Sequence, residues 1–110
     1  MKPEPGPPPV PSEDSGPITV YLAITLSPDI APGDLAAIQL TLAYAARRIT
    51  ATGHPVRFLH GMYLPAHTSL LCEFNAQDER WAHIAARLTR LPYVPVDAAT
   101  AARLTDPPGD

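Results

Sequence analysis

The sequence predicts an α+β domain with one antiparallel sheet and two helices packed on the same side of it. Two observations lead to this fold class. Apolar residues follow either the two-residue period of strands or the longer period of helices, in the order strand, helix, strand, strand, helix and a final candidate strand. The two adjacent strands are separated by only three residues, which predicts an antiparallel hairpin.

The folded domain is predicted to lie between two proline-rich ends. Seven of the 15 prolines fall within the first 17 residues, two lie at positions 107 and 108, and the other six stand at or near predicted element boundaries. Proline lacks a backbone donor and the ends contain few apolar residues, so they cannot form a core. We therefore expect a disordered arm at residues 1–17, a domain at 18–105 and a disordered tail at 106–110.

The first predicted strand and helix begin the domain. Residues 18–26 alternate large apolar residues with others and are rich in β-branched side chains, which is typical of a strand. A helix begins near Pro32, carries Asp34 in its first turn and ends at the stop signal of Gly53. Its apolar stripe consists of Leu35, Ile38, Leu42, Ala45 and Ile49.

The predicted hairpin joins strands at residues 56–64 and 68–74 through the turn Pro65-Ala66-His67. With this turn, residue 64 faces residue 68, and His60 faces Cys72 on the more apolar side of the sheet. The other side of the hairpin then carries Arg57, Leu59, Gly61, Tyr63, Ser69, Leu71 and Glu73.

A second helix and a C-terminal segment complete the domain. The helix begins near the capping residue Asn75 and ends at Pro92, and its buried stripe is predicted to be Trp81, Ile84, Ala85, Leu88 and Leu91. Residues 93–96 fit an edge strand, because Pro95 cannot donate to a ladder. Residues 97–104 are alanine-rich and fit a short helix equally well, so the sequence leaves the last element open.

This order of elements predicts a ferredoxin-like sandwich of strand order 4-1-3-2, whose second sheet face has no cover within the chain. That open face is half apolar, with Tyr63 and Glu73 among its polar groups. Such a surface is usually covered by a second subunit or a ligand. We favour a homodimer interface. The alternatives are a small-molecule pocket held by Tyr63 and Glu73, or a simple pairing of Glu73 with Arg57.

Composition argues against several kinds of partner and compartment. Residues 18–105 have a formal charge of +1, against -3 for the whole chain, so nothing indicates nucleic acid or an acidic membrane surface. No apolar run approaches the ~18 residues of a membrane span, and we expect no secretory signal. The single cysteine allows no internal disulfide, which fits a cytoplasmic protein.

His60 and Cys72 are candidate metal ligands, because imidazole and thiolate suit transition metals and the two residues face each other in the predicted hairpin. Two ligands do not complete a site, and a core histidine beside a buried thiol is the simpler interpretation. His67 in the turn is a further, exposed candidate. The sequence contains neither a glycine-rich phosphate loop nor a recognisable nucleophile–base set, so no catalytic residue is predicted.

A recognisable pattern is spread over residues 56–65 (VRFLHGMYLP), 71–76 (LCEFNA) and 90–92 (RLP). It resembles a family of small bacterial ferredoxin-like domains of unknown function that includes a nickel-binding, nickel-responsive protein. The resemblance covers about residues 18–97 and implies a ferredoxin-like homodimer. It also implies a Ni²⁺ site, since His60 and Cys72 fall where some members carry His and Cys. The family's acidic turn is replaced by Ala66-His67-Thr68, where His67 adds a ligand.

We therefore expect a cytoplasmic homodimer that binds a small ligand without turnover. A divalent metal such as Ni²⁺, held by His60, His67 and Cys72, is one such ligand. The alternative is an enzyme of the dimeric α+β barrel type, with its substrate on the open sheet face near Tyr63 and Glu73. A third interpretation is an interaction module whose proline-rich arm recruits a partner.

Overall fold

The structure is a computed structural model that describes residues 16–105. Its elements, in chain order, are β1 (Ile18–Thr25), α1 (Pro32–Ala51), β2 (Val56–Leu64), a 3-10 turn (Pro65–His67), β3 (Ser69–Ala76), α2 (Glu79–Leu88), β4 (Tyr93–Val96) and α3 (Ala98–Thr105). Within this range no helix combines the length and apolar character needed to cross a membrane. The predicted tail and all but two residues of the predicted arm lie outside the described residues.

The four strands form one antiparallel sheet in the order β2-β3-β1-β4, which reads 4-1-3-2 from the β4 edge. The β-branched, apolar β1 lies in the middle of the sheet, as its composition indicates. β4 lies at an edge of the sheet, a position that tolerates Pro95 because proline has no N–H to donate to a second neighbouring strand. The α+β class is confirmed, and the arrangement is compatible with a ferredoxin-like fold.

The main core lies between one sheet face and the helices α1 and α2. The predicted stripe of α1 is confirmed, with Leu42, Ala45 and Ile49 buried against the sheet. α2 instead buries mainly alanines, which allow it to approach the sheet closely. Leu88 is 47% exposed at the last residue of α2, so its predicted place in the buried stripe is wrong.

α2 also begins later than the sequence predicts. The backbone of Asn75 is paired within β3, so Asn75 cannot cap a helix. Asp78 is the cap, and its Oδ1 accepts a hydrogen bond from the Arg80 N–H at 2.9 Å.

The loop of the hairpin is one residue longer than predicted. Thr68 has a left-handed backbone (φ 47°) and donates its N–H to the Pro65 carbonyl at 3.2 Å. Thr68 therefore belongs to the loop, and Leu64 faces Ser69 instead of residue 68. From this end of the hairpin the register is shifted by one residue.

A β-bulge at Leu59 compensates for the longer loop. Beyond it the pairing returns to the predicted register, with Phe58 facing Phe74. Between the loop and the bulge, His60 faces Glu73 and Cys72 faces Gly61. The predicted pairing of His60 with Cys72 is therefore wrong, because a shift of one residue places the two on opposite faces.

The C-terminal segment contains both elements that the sequence left open. After β4 the chain forms α3, which lies on the sheet face opposite α1 and α2. There Ala101 packs with Leu64 and Leu71 in a second, smaller core. The prediction that this second sheet face lacks cover within the chain is therefore wrong over the part that α3 occupies.

Candidate functional site

A cleft of about 340 Å³ lies between the second sheet face and α3; we call it the α3 cleft. Its lining residues come from three strands and one helix: Tyr21, His60, Met62, Leu71, Glu73, Ala98, Ala101, Ala102 and Thr105. The volume falls near the lower end of the range for small-molecule sites, ~300–1,000 Å³. Space remains between helix and sheet because three of the α3 residues carry only a methyl group.

The first turn of α3 fixes this helix over the sheet. Asp97 Oδ1 accepts a hydrogen bond from the Thr100 N–H at 2.7 Å, and the Asp97 carbonyl accepts one from the Ala101 N–H at 2.9 Å. The Thr100 N–H that donates to the carboxylate holds the pKa of Asp97 below its ordinary value. Ala101, which is 3% exposed, anchors the same turn in the small core. The cleft therefore has a defined wall.

The polar feature of the α3 cleft is a contact between His60 and Glu73. His60 Nε2 lies 3.0 Å from Glu73 Oε1. An ionised carboxylate only accepts hydrogen bonds, so this contact requires a hydrogen on Nε2. The Glu73 side chain is 27% exposed and that of His60 is 61% exposed. The carboxylate thus orients an imidazole whose other nitrogen, Nδ1, remains available to a ligand.

Two features of β2 place His60 on this side of the sheet. The bulge at Leu59 shifts the strand so that His60 faces Glu73. On the opposite side, the Gly61 N–H donates a hydrogen bond to Gln39 Oε1 of α1 at 3.1 Å. A Cβ at position 61 would lie only 3.0–3.2 Å from three side-chain atoms of Leu70. Glycine therefore permits the close packing of the Leu70 side chain against β2.

The structure separates the residues of both predicted sites, the Tyr63–Glu73 pocket and the metal site of His60, His67 and Cys72. Tyr63 faces the core residue Leu70, on the side of α1 and α2, whereas Glu73 lines the α3 cleft. Cys72 is fully buried in the main core, where burial raises the pKa of its thiol to about 12. His67 is exposed in the 3-10 turn. Among the predicted site residues, only His60 and Glu73 come together.

The predicted metal ligands do not form one site within the chain. His60 and Cys72 lie on opposite faces of the sheet. Across residues 16–105 no group of three or more His, Cys, Asp and Glu side chains is placed to hold a metal ion. The residues present therefore do not fit a Ni²⁺ site built from one copy of the described domain. Nickel binding itself stays a prediction.

Sequence reasoning missed the contribution of α3 and of Met62 to the cleft. The signal for α3 was present, because Asp97 followed by an alanine-rich segment is typical of a capped helix. No comparable signal marks Met62, since its position depends on the bulge.

Comparisons with known proteins identify no relative of this chain. It matches no protein-family model, and searches of curated proteins and of solved structures find no match. The resemblance to the family with a nickel-responsive member therefore stays a prediction.

Proposed function

We propose that this domain binds a small, largely apolar molecule in the α3 cleft and holds a polar group of that molecule at the His60–Glu73 pair. One observation carries the proposal: a cleft of about 340 Å³ with mainly apolar walls contains a single oriented imidazole–carboxylate contact. Binding sites for small molecules generally combine apolar walls with a few polar groups in this way.

The two kinds of lining residue have different roles in this proposal. The side chains of Met62 and Leu71 and the methyl groups of α3 remove apolar ligand surface from water, which stabilises the complex by about 25 cal/mol per Å². His60 Nδ1 accepts a hydrogen bond from a hydroxyl or amide of the ligand. Tyr21, which also lines the cleft, carries a hydroxyl that supplies a second hydrogen-bonding group in this proposal.

A fragment screen tests the proposal directly. Ligand-observed NMR with the full chain should identify small aromatic or aliphatic alcohols and amides that bind. Ala102→Leu fills the α3 cleft from an exposed helix position and should abolish the signals. Ala99→Leu changes the same helix outside the lining and should preserve them. Hits that bind both variants equally, or the absence of any hit, would contradict the proposal.

The role of His60 has its own test. For a hit that carries a hydrogen-bonding group, His60→Ala should raise the dissociation constant by about tenfold, because the polar anchor is lost. A matched ligand in which a methyl replaces the polar group should show no such difference between wild type and variant. Equal losses for both ligands would assign His60 to general packing instead.

Turnover is the second candidate function, and the His60–Glu73 contact favours it. A carboxylate that orients an imidazole is the arrangement of a general base and its positioning group. Incubation of each hit with the full chain, followed by mass spectrometry, separates the two functions. A product that forms with wild type and not with His60→Ala would support an enzyme, whereas unchanged ligand supports binding alone.

We propose separately that His60 contributes to Ni²⁺ binding. Calorimetry with Ni²⁺ should show heat for wild type that is lost in His60→Ala and retained in Cys72→Ala, because Cys72 is buried on the other side of the sheet. Absent heat, or heat that does not depend on His60, would remove the proposal.

A further inference from the structure

A second cleft, of about 260 Å³, lies where β2 begins and β3 ends; we call it the strand-end cleft. It shares no lining residue with the α3 cleft. Its apolar walls are formed by Pro17, Pro55, Val56 and Ala76, and its one charged lining residue is Arg57. A partly apolar cleft with a single cation and no acid in its lining favours an anionic ligand.

Arg57 is available for such a ligand. Its side chain is exposed, and neither of the two salt bridges within residues 16–105 includes it. The acid nearest to it in the strand register is Glu73, two residues along β3 from the Arg57 partner Asn75. Because the bulge brings His60 opposite Glu73, this carboxylate contacts the imidazole instead of the guanidinium.

Asn75 supplies a neutral donor beside Arg57. The two residues face each other directly in the β2–β3 ladder, and both line the strand-end cleft. In the described part of the chain, the Asn75 side chain makes no hydrogen bond. A guanidinium and an amide on one face therefore present unused N–H groups to the same space.

The end of α1 holds Val56, one of the apolar walls of this cleft, in place. Thr50 Oγ1 donates a hydrogen bond to the Val56 carbonyl at 2.9 Å and accepts one from the Val56 N–H at 3.0 Å. The start of β2 is thus fixed next to the cleft. A fixed site loses less conformational entropy on binding than a mobile one.

We propose that the strand-end cleft binds a small organic carboxylate with an apolar body. The carboxylate accepts a pair of hydrogen bonds from the Arg57 guanidinium, whose planar geometry matches it, and a further one from the Asn75 amide. The apolar body packs against Pro55 and Val56. This site is independent of the α3 cleft and of the function proposed for it.

Benzoate is a suitable probe for the full chain, with benzamide as its neutral counterpart. In a ¹H–¹⁵N NMR titration, benzoate should shift the amide signals of Val56, Asn75 and Ala76, whereas benzamide should leave them unchanged. Arg57→Gln should raise the benzoate dissociation constant by about tenfold or more, because a charge-assisted bidentate contact is lost. Arg47→Gln, on an exposed part of α1 outside both clefts, is the matched control and should bind as wild type does.

Three results would overturn the proposal. These are equal benzoate affinity in Arg57→Gln and Arg47→Gln, equal affinity for benzoate and benzamide, and shifts confined to residues of the α3 cleft. Ala102→Leu keeps this test separate from the function proposed above. That variant should lose binding in the α3 cleft and retain benzoate binding at the strand end.

Discussion

His60 and Cys72 differ strongly in burial. His60 is mostly exposed and Cys72 is completely buried, although the sequence predicts that they face each other. A side chain on a half-open face can meet a ligand, whereas one in the main core contributes packing. Whether a side chain here is accessible or part of the core depends on one residue of register.

Cys72 should be chemically inert in the folded protein. Burial raises the pKa of its thiol to about 12, so at neutral to mildly alkaline pH the reactive thiolate is a very small fraction. A thiol reagent such as 5,5′-dithiobis(2-nitrobenzoate) should label the native chain far more slowly than the chain in urea. Labelling of the native protein at the rate of the unfolded chain would contradict this burial.

Gly61 should not tolerate even a methyl group. Gly61→Ala would place a Cβ 3.0–3.2 Å from the Leu70 side chain in the main core, so strand or side chain must move. We expect the free energy of unfolding to fall by about 1–3 kcal/mol, measured by urea denaturation. Gly33→Ala is the control, since nothing lies within 4 Å of a Cβ there. Similar losses in both variants would show that the contact with Leu70 is unimportant.

The periodicity of the sequence predicts the strands and helices themselves better than it predicts how the strands pair. The stripes of β1 and α1 are readable because every second, or every third and fourth, side chain enters the core. The hairpin register is not readable in this way, because it depends on the left-handed Thr68 and on the bulge at Leu59. Each changes the count by one residue without leaving a pattern in the sequence. His60 and Tyr63 were therefore assigned to the wrong faces, whereas Cys72 and Glu73 lie on the faces predicted for them.

Deletion of single residues in β2 should reveal the bulge. Loss of Leu59 removes the unpaired residue and leaves every other side chain on its present face. Loss of Met62 instead forces neighbouring residues onto the opposite face. We expect the Leu59 deletion to retain more of the unfolding free energy than the Met62 deletion, and to keep the His60–Glu73 contact in NMR spectra. Equal stability of the two variants would argue against the bulge.

The attachment of α3 should depend on pH through Asp97. The folded pKa of this carboxyl lies below its unfolded value because of the Thr100 N–H, so its contribution is complete above the unfolded pKa. That contribution is lost as the pH falls through the folded pKa. Hydrogen exchange at the Ala101 amide, corrected for intrinsic rates, should accelerate on acidification in wild type and less in Asp97→Asn.

Asp78→Asn is the control for this experiment. Asp78 also has a lowered pKa, caused first by the Arg80 N–H, but it caps α2. Its substitution should leave the pH dependence at Ala101 as in wild type. If Asp97→Asn behaves like Asp78→Asn at Ala101, the cap of α3 does not govern this helix.

Over the whole molecule, α3 changes what the second sheet face offers to other molecules. The homodimer predicted from the sequence uses this face, and α3 now covers part of it. The class and the order of the strands follow from local patterns, whereas this cover follows from the tertiary contacts of Ala101 and Leu104. The sequence therefore does not decide whether the last element is a helix, although the capping residue and the alanine-rich composition of α3 are visible there.

Self-association should increase when α3 is displaced. Ala101→Asp places a charge in the small core with Leu64 and Leu71, which should release the helix and expose apolar sheet residues. We expect a concentration-dependent rise in mass by sedimentation equilibrium, relative to wild type. Ala99→Asp, at an exposed position of the same helix, should match wild type. An unchanged mass for Ala101→Asp would indicate that this face does not mediate self-association.

The bulge at Leu59 also has a consequence for solubility. β2 is an edge of the sheet, and its nine residues would offer a long row of unpaired backbone groups to a strand of another molecule. The bulge interrupts that row, and the Gly61 N–H is already bonded to Gln39. The opposite edge, β4, is short and contains Pro95. Both edges of the sheet are thus poor templates for the addition of a strand from another molecule. This arrangement protects the small domain against polymerisation into extended β-structure.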